Sequence, residues 1–553
     1  MENRRAFLKS CATFGTTGIF SSSCASVKPV RTLNSRYQTS TGHFGVHPFV
    51  EEHPEAVFIM RTDVDVKINS GAKKNTGISF ARSVLHPMDE SGIPLTHLIP
   101  IKPNLTASQS NDRDFSLELG MGIVTDPYFV EGVIEGMKEL GMSESQFYLR
   151  EVNGPEDFKP RGYTAMAKRT GADMRDLSED VRTIGSEFVQ WMDVPDGVVH
   201  KKIPYLWPIN APDTFFLNIA KFKTHDTGLT LCCKNHQGSV ANKYQRFCQG
   251  TGAFKNYHYD SLARNAAKTC EALYDQHLTD GLPLWDRLTE PGKEKNLWLD
   301  AWCQRTFDNL STTPMGLCII EGIYGRDDAF LTGPNPPLHN DKGKKEAWDY
   351  MTNVIIFGKD PVLVDIIGHW LGGHEPGQFG FFHIAMERGM SSLIDPRKIP
   401  VYNWDNGAAT LTPLEQLPRT PMLSSYVPKD CYASAEGTHS SLFYMYNDPF
   451  DYSIVDEKIP PVSHTPGSRL LDRCIPNPIN PFVIIEYTLP GADYARIDIL
   501  DEDGNRLETI VHGYHRKGSH CAVWNILNRP KGNYYYRFRY SDFSEMKKIV
   551  LTI

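Results

Sequence analysis

The sequence predicts an α/β protein: a mostly parallel sheet with helices on both faces, followed by a small C-terminal β-sandwich. Three observations carry this. Between residues 55 and 400, short apolar runs recur, each ending in polar residues near a helix start. Two segments, "TDPYFVEGVIEGMKELG" and "KDPVLVDIIGHWLGG", open on Asp-Pro and then place apolar residues at helical spacing. The last part of the chain alternates instead, as in "ARIDIL" and "YYYRFRY", around a "DEDGN" turn.

The elements follow in order. "AVFIM" leads to Arg61 and Asp63, "HLIPI" to Lys102 and Asn104, and "QFYL" to Arg150 and Glu151. "TFFLNIA" leads to Lys221 and Lys223, "GLCII" to Glu321, and "NVIIF" to Lys359 and Asp360. Runs this short and this apolar read as buried strands of a parallel sheet. In the first helix Asp126 is the N-cap, Pro127 takes the first helical position, and Val130, Val133, Ile134, Met137 and Leu140 form the apolar face up to Gly141. Asp360 and Pro361 repeat the device. Alternating strands and helices place helices on both faces of one sheet. Residues 50–404 are thus expected to form the α/β domain. Residues 405–475, rich in Pro, Ser and Tyr ("PPVSHTPGS"), read as a connection, and residues 476–553 as the sandwich.

A chain of 553 residues exceeds one core. Its net charge of −8 argues against a nucleic-acid surface. No apolar run reaches the roughly 20 residues that span a bilayer. Of eleven cysteines, Cys11 and Cys24 fall in the N-terminal segment, and the others show no C-x-x-C, so the spacing does not indicate an iron–sulfur cluster. The adjacent Cys232 and Cys233 read as small core residues on a strand. The start, "NRRAFLKS", with paired Arg4 and Arg5, resembles a twin-arginine export signal over residues 1–25. That implies passage through the twin-arginine machinery and a periplasmic or cell-surface location. "SSSC" leaves two readings open: lipid attachment to a membrane through Cys24, or cleavage after Ala25.

In open α/β sheets, ligands bind outside the carboxyl ends of the strands. Lys102, Glu151, Lys221, Lys223, Glu321 and Asp360 are expected there. Lys221 and Lys223, two apart on an extended segment, share a face. Together with Lys102 and Lys234 they are expected to hold a carboxylate or phosphate as point charges, with the amides of Asn104 and Asn235 beside them. The competing reading pairs these lysines with Glu151, Glu321 and Asp360 in a buried ion network. His225, beside Thr224, is expected to transfer a proton with Lys223; a metal ligand and a structural histidine remain open alternatives. Asp365 and His369 stand one turn apart on a helix, as metal ligands do, although an acid near a helix start is favourable anyway. His374, Glu375 and His383 lie in "GGHEPGQFGFFH", whose spacing matches no standard zinc signature. The cofactor stays unknown, with a metal ion left open. No G-x-G-x-x-G follows the first strand and no Walker lysine motif exists, so no standard nucleotide site is indicated.

Several of these stretches carry a resemblance. "IKPNL" (Ile101–Leu105), the "TDP" helix start, "NIAKFKTH", "LTLCCKNHQG", "IIEGIYG" (Ile319–Gly325) and "GKDPVLVD" (Gly358–Asp365) occur in the order seen in the domain of unknown function 362 family. The resemblance covers roughly residues 55–400. It implies an α/β fold and supplies no reaction. The lysine–histidine–glycine layout is also distantly similar to lactate-racemase-type proteins, an analogy only. Residues 476–553 resemble the immunoglobulin-like domain of flagellar hook-capping proteins and the sorting domain of type IX secretion substrates. That implies contact with secretion machinery or the cell surface. Two functions follow as expectations: an enzyme acting on a small anionic molecule, or a non-catalytic cell-surface binding and attachment protein.

Overall fold

A computed structural model describes residues 42–105, 122–152, 158–175, 185–225, 228–241, 266–283, 297–327, 348–420, 449–455, 471–476, 482–489, 493–515, 518–526, 529–540 and 543–551. The expected signal segment, residues 1–25, lies outside them, as do 421–448 and 456–470 of the connection.

The central sheet is built from β1 (Val57–Arg61), β2 (Ile99–Pro103), β3 (Phe147–Leu149), β4 (Asp173–Met174), β5 (Leu217–His225), β6 (Gly228–Thr230), β7 (Leu317–Asp327), β8 (Trp348–Gly358), β9 (Val401–Asp405) and β10 (Ala408–Leu411). Their order is β10-β9-β1-β8-β7-β5-β2-β3-β4, with β6 folded back on β5. The pairs β9–β1, β7–β5, β5–β2, β2–β3 and β3–β4 are parallel. Strand β8 is antiparallel to both neighbours, β7 and β1. Each apolar run of the sequence became a strand because its residues bury on both faces. Ile101, Ile219 and Ile319 face one layer, while Ala220, Phe222 and Ile320 face the other.

Helices cover both layers. On the first lie α1 (Ser70–Val84), α2 (Pro127–Lys138) and α3 (Tyr163–Thr170). On the second lie α4 (Cys232–Asn235), α5 (Ala266–Thr279), α6 (Leu297–Leu310), α7 (Pro361–Leu371) and α8 (Gly380–Glu387). Asp126 caps α2 by accepting from Tyr128 N at 2.9 Å, and Asp360 caps α7 from Val362 N at 2.7 Å. Each cap is worth about 1 kcal/mol. Helices α1 and α2 touch backbone to backbone. A Cβ at Gly77 would lie 2.2 Å from Phe129 O, and one at Gly132 would lie 2.1 Å from Lys74 O.

The reversal of β8 corrects one expectation. Gly358 pairs with Cys318 at the start of β7, so Asp360 sits at the amino end of the neighbouring parallel strands. It cannot join Glu321 at the carboxyl end, and its carboxylate is occupied as a helix cap. The sequence could not reveal this, because an apolar strand reads the same in either direction. A second expectation is corrected at Cys232 and Cys233, which begin helix α4 rather than lying on a strand.

The C-terminal region forms two antiparallel sheets. One has β11 (Leu471–Pro476), β12 (Phe482–Leu489) and β15 (Gly518–Asn525). The other has β13 (Asp493–Leu500), β14 (Arg506–His515), β16 (Gly532–Tyr540) and β17 (Phe543–Leu551). Their shared core holds Tyr487, Ile497, Trp524, Tyr536 and Phe538. Its first strand starts ahead of residue 476, and the α/β sheet itself runs past residue 404 to Leu411. The two regions meet at Glu51, which is 2.8 Å from Lys359 and 3.2 Å from His512. Among the described residues, no helix is long and apolar enough to cross a membrane.

Candidate functional site

The carboxyl ends of β2, β3, β5 and β7 gather the polar residues that the sequence placed there. The sheet pleat then divides them between its two faces. Lys102 pairs in register with Asn218, and Asn218 with Cys318, so all three point toward α4. Lys221 pairs with Glu321, and both follow Ile219 and Ile319 to the α2 face.

On the α4 face Lys102 is 1% exposed. Its Nζ donates to Glu151 Oε2 at 2.6 Å, Pro103 O at 2.6 Å and Asn235 Oδ1 at 3.1 Å. Asn235 Nδ2 donates in turn to Lys102 O and Asn218 Oδ1, tying the end of α4 to both strands. Burial lowers the Lys102 ammonium below its usual range although Glu151 opposes it. Burial likewise raises Glu151 against the pull of Lys102. Both shifts favour the neutral forms. His236 stacks on Tyr205 with ring centroids 5.7 Å apart. Burial, with the Lys102 cation nearby, pushes its imidazole down to about 3. Lys234 is half-buried on α4.

On the α2 face Lys221 and Glu321 are both fully buried and 2.8 Å apart. Glu321 also accepts from Asp126 N at 2.9 Å and Ile323 N at 3.0 Å. The Lys221 ammonium lies 3.7 Å from the Tyr324 ring centroid. Tyr324 donates to Asp126 Oδ2 at 2.7 Å, and that oxygen is 2.6 Å from Lys73 Nζ. Burial raises Glu321, with Lys221 opposing and Asp126 reinforcing. Lys223 is wholly buried further along β5.

Thr125 joins the two halves. Its Oγ1 accepts from Asn104 N at 2.9 Å and donates to Ile219 O at 2.8 Å. Tyr163 donates to Thr125 O at 2.9 Å. Burial, and then the carboxylates of Asp126, Glu321 and Glu151, hold its phenol proton on. Asn104 is buried, and its Oδ1 has no hydrogen-bond partner among the described residues. The cluster is buried, Lys102 and Lys221 each lie against a carboxylate, and burial raises both of those partners, Glu151 and Glu321.

The structure therefore brings Lys102, Glu151 and Asn235 together, and separately Lys221 with Glu321. Asn104 lies at the seam. The backbone of His225 ends β5, and its side chain lies outside the described residues. Lys73, Asp126, Tyr163 and Tyr324 were missed as members of the cluster. Asp126 carried a signal, but its role as N-cap accounted for it fully.

The other candidate groups have structural partners. Asp365 accepts from Cys232 N at 2.7 Å and Cys233 N at 2.9 Å, closing the start of α4. Burial raises its carboxyl to about 7. His369 stacks on Phe379 at 5.2 Å. Glu375 accepts from the Tyr452 hydroxyl, and His383 Nε2 is 2.8 Å from Gly377 O. His374 is fully buried in the same turn. Among the described residues, no three His, Cys, Asp or Glu side chains form a group able to hold a metal ion.

A mostly parallel sheet clad on both faces, with polar residues gathered at the strand carboxyl ends, defines an α/β protein, and in open sheets of this kind those ends are where ligands bind. Residues 99–369, from β2 to near the end of α7, match the family model of a domain of unknown function (DUF362). No curated protein and no solved structure matches the chain.

Proposed function

We propose that the strand-end cluster binds a small anionic ligand, a carboxylate or a phosphate, and that the chain acts on it by acid–base chemistry. The observation that carries this reading is the burial of Lys102, Lys221 and Lys223, each at most 1% exposed, at the carboxyl ends of two adjacent strands. Burying ammonium groups costs several kcal/mol each, and a fold retains such groups where a ligand uses them. Lys234 and Asn235 flank the cluster on α4. The unpartnered Oδ1 of Asn104 favours a ligand that also carries a donor such as a hydroxyl. His225 and Lys223 are the proton-transferring groups in this reading.

A second reading is favoured by charge balance. Glu151 answers Lys102, and Glu321 with Asp126 answers Lys221 with Lys73. A cluster so compensated serves equally as a rigid base for a non-catalytic surface protein that uses its sandwich for attachment. In either reading the twin arginines support export and a periplasmic or cell-surface location, with Cys24 as a point of lipid attachment. The resemblance of residues 476–553 supports a role in sorting or surface contact.

Thermal unfolding in graded inorganic phosphate and in graded malonate separates the two. The first reading expects a rise in midpoint with one of them, absent in a folded Lys223→Ala variant. A midpoint indifferent to both anions favours the attachment protein.

A further inference from the structure

A cleft of ≈ 700 Å³ opens beside the β4 edge of the sheet, within the size range of small-molecule sites. Arg150 forms its floor. This residue is fully buried, and its guanidinium donates to Trp207 O and, at 2.8 Å, to Asp173 Oδ2. The next residue, Glu151, pairs with Lys102, so the cleft and the strand-end cluster both abut the end of β3 without sharing side chains.

The lining is unusual in what it leaves unused. Arg175 reaches Asp173 through Nε alone, at 2.9 and 3.2 Å. Its side chain is 53% exposed, and its two terminal nitrogens make no further hydrogen bond among the described residues. The guanidinium lies over the Phe188 ring, 5.0 Å from its centroid. Gln190 Oε1 is buried without a hydrogen-bond partner among the described residues. Glu187 is exposed. Trp207 is half-buried and held edge-on by Tyr148 at 5.1 Å and 81°.

Each feature narrows the ligand. The terminal-nitrogen edge of the Arg175 guanidinium, turned away from Asp173, takes one carboxylate. Gln190 Oε1 and Glu187 accept hydrogen bonds, so they ask for hydroxyl donors. Trp207 offers an apolar wall to the C–H face of a ring. Arg150 and Arg175 are balanced by Asp173 and Glu187, so a polyanion is not selected. We propose that this cleft is a binding site for an acidic sugar, a hydroxylated ring bearing one carboxylate, presented as a short oligosaccharide. The carboxylate sits on Arg175, the hydroxyls on Gln190 and Glu187, and the ring against Trp207.

The test is calorimetric titration of the full chain with digalacturonate and with a hyaluronan tetrasaccharide, using galactobiose as the neutral control. Saturable binding of at least one acidic sugar is expected, about tenfold tighter than the neutral one. Arg175→Gln should remove that advantage while far-UV circular dichroism stays unchanged. Lys223→Ala should bind the sugar normally, which keeps this site independent of the strand-end reading. Failure of both acidic sugars to bind, equal binding of galactobiose, or full binding by Arg175→Gln would each overturn the proposal.

Discussion

Replacing Lys221 with Met isolates the charge of Glu321 at the centre of the sheet. The pair is fully buried and 2.8 Å long. Removing one member of a buried pair typically costs 3–5 kcal/mol. Two features reduce that here. Glu321 keeps two backbone donors, Asp126 N and Ile323 N. It can also take up a proton, because burial already raises it. The loss of the ammonium over Tyr324 adds about 1 kcal/mol. Where Glu321 is ionised, a loss of about 3 kcal/mol is expected. The pH dependence follows from the direction of the shift. A carboxyl raised in the folded state stabilises fully below its unfolded value, and that stability is lost as pH rises through the folded value. The cost of Lys221→Met should therefore shrink to about 1 kcal/mol as pH falls through the folded value of Glu321. The double variant Lys221→Met with Glu321→Gln should recover most of the loss seen where Glu321 is ionised. Urea unfolding on both sides of that folded value measures all of this. A single variant as stable as wild type above it, or one equally damaged on both sides, would refute the buried-pair account.

Further outcomes follow from other parts of the chain. Burial works to lower His277, but hydrogen bonds to Asp300 and to Glu387, at 2.7 Å, outweigh it and hold the imidazolium up to about 9. A raised histidine stabilises fully below its ordinary 6.5, and that contribution is lost toward about 9. With Glu387 partly exposed, wild type should lose about 2 kcal/mol over that window, and His277→Gln should lack the slope in urea titrations. A Cβ at Gly238 would lie 2.5 Å from both Glu151 Oε1 and Lys102 Cε. Gly238→Ala should thus cost about 2 kcal/mol or more in thermal unfolding. The double variant Arg4→Lys with Arg5→Lys should stay in the cytoplasm on fractionation, and normal export of it would remove the signal assignment.

Much of the fold was legible because buried strands and Asp-Pro helix starts are local signals. Val57–Arg61, Ile99–Pro103 and Pro127–Lys138 follow from their own residues. The direction of Trp348–Gly358 does not, because orientation is set by the partners β1 and β7 rather than by the strand. The site shows the same division. Lys102, Lys221 and Glu321 could be placed at strand ends from spacing. The face each would take depended on register with neighbouring strands, information absent from any single segment. Lys73 was hidden in a polar helix, and only the close α1–α2 crossing at Gly77 and Gly132 brings that helix to Asp126.

Bromide soaking of crystals of the full chain tests the central claim most directly, through an anomalous difference map. The account predicts an ion within hydrogen-bond reach of Lys223, Lys234 or Asn104 at the strand carboxyl ends, displaced when malonate or phosphate is added. Bromide confined to exposed lysines and arginines, with the strand-end cluster unchanged in both added anions, would contradict it.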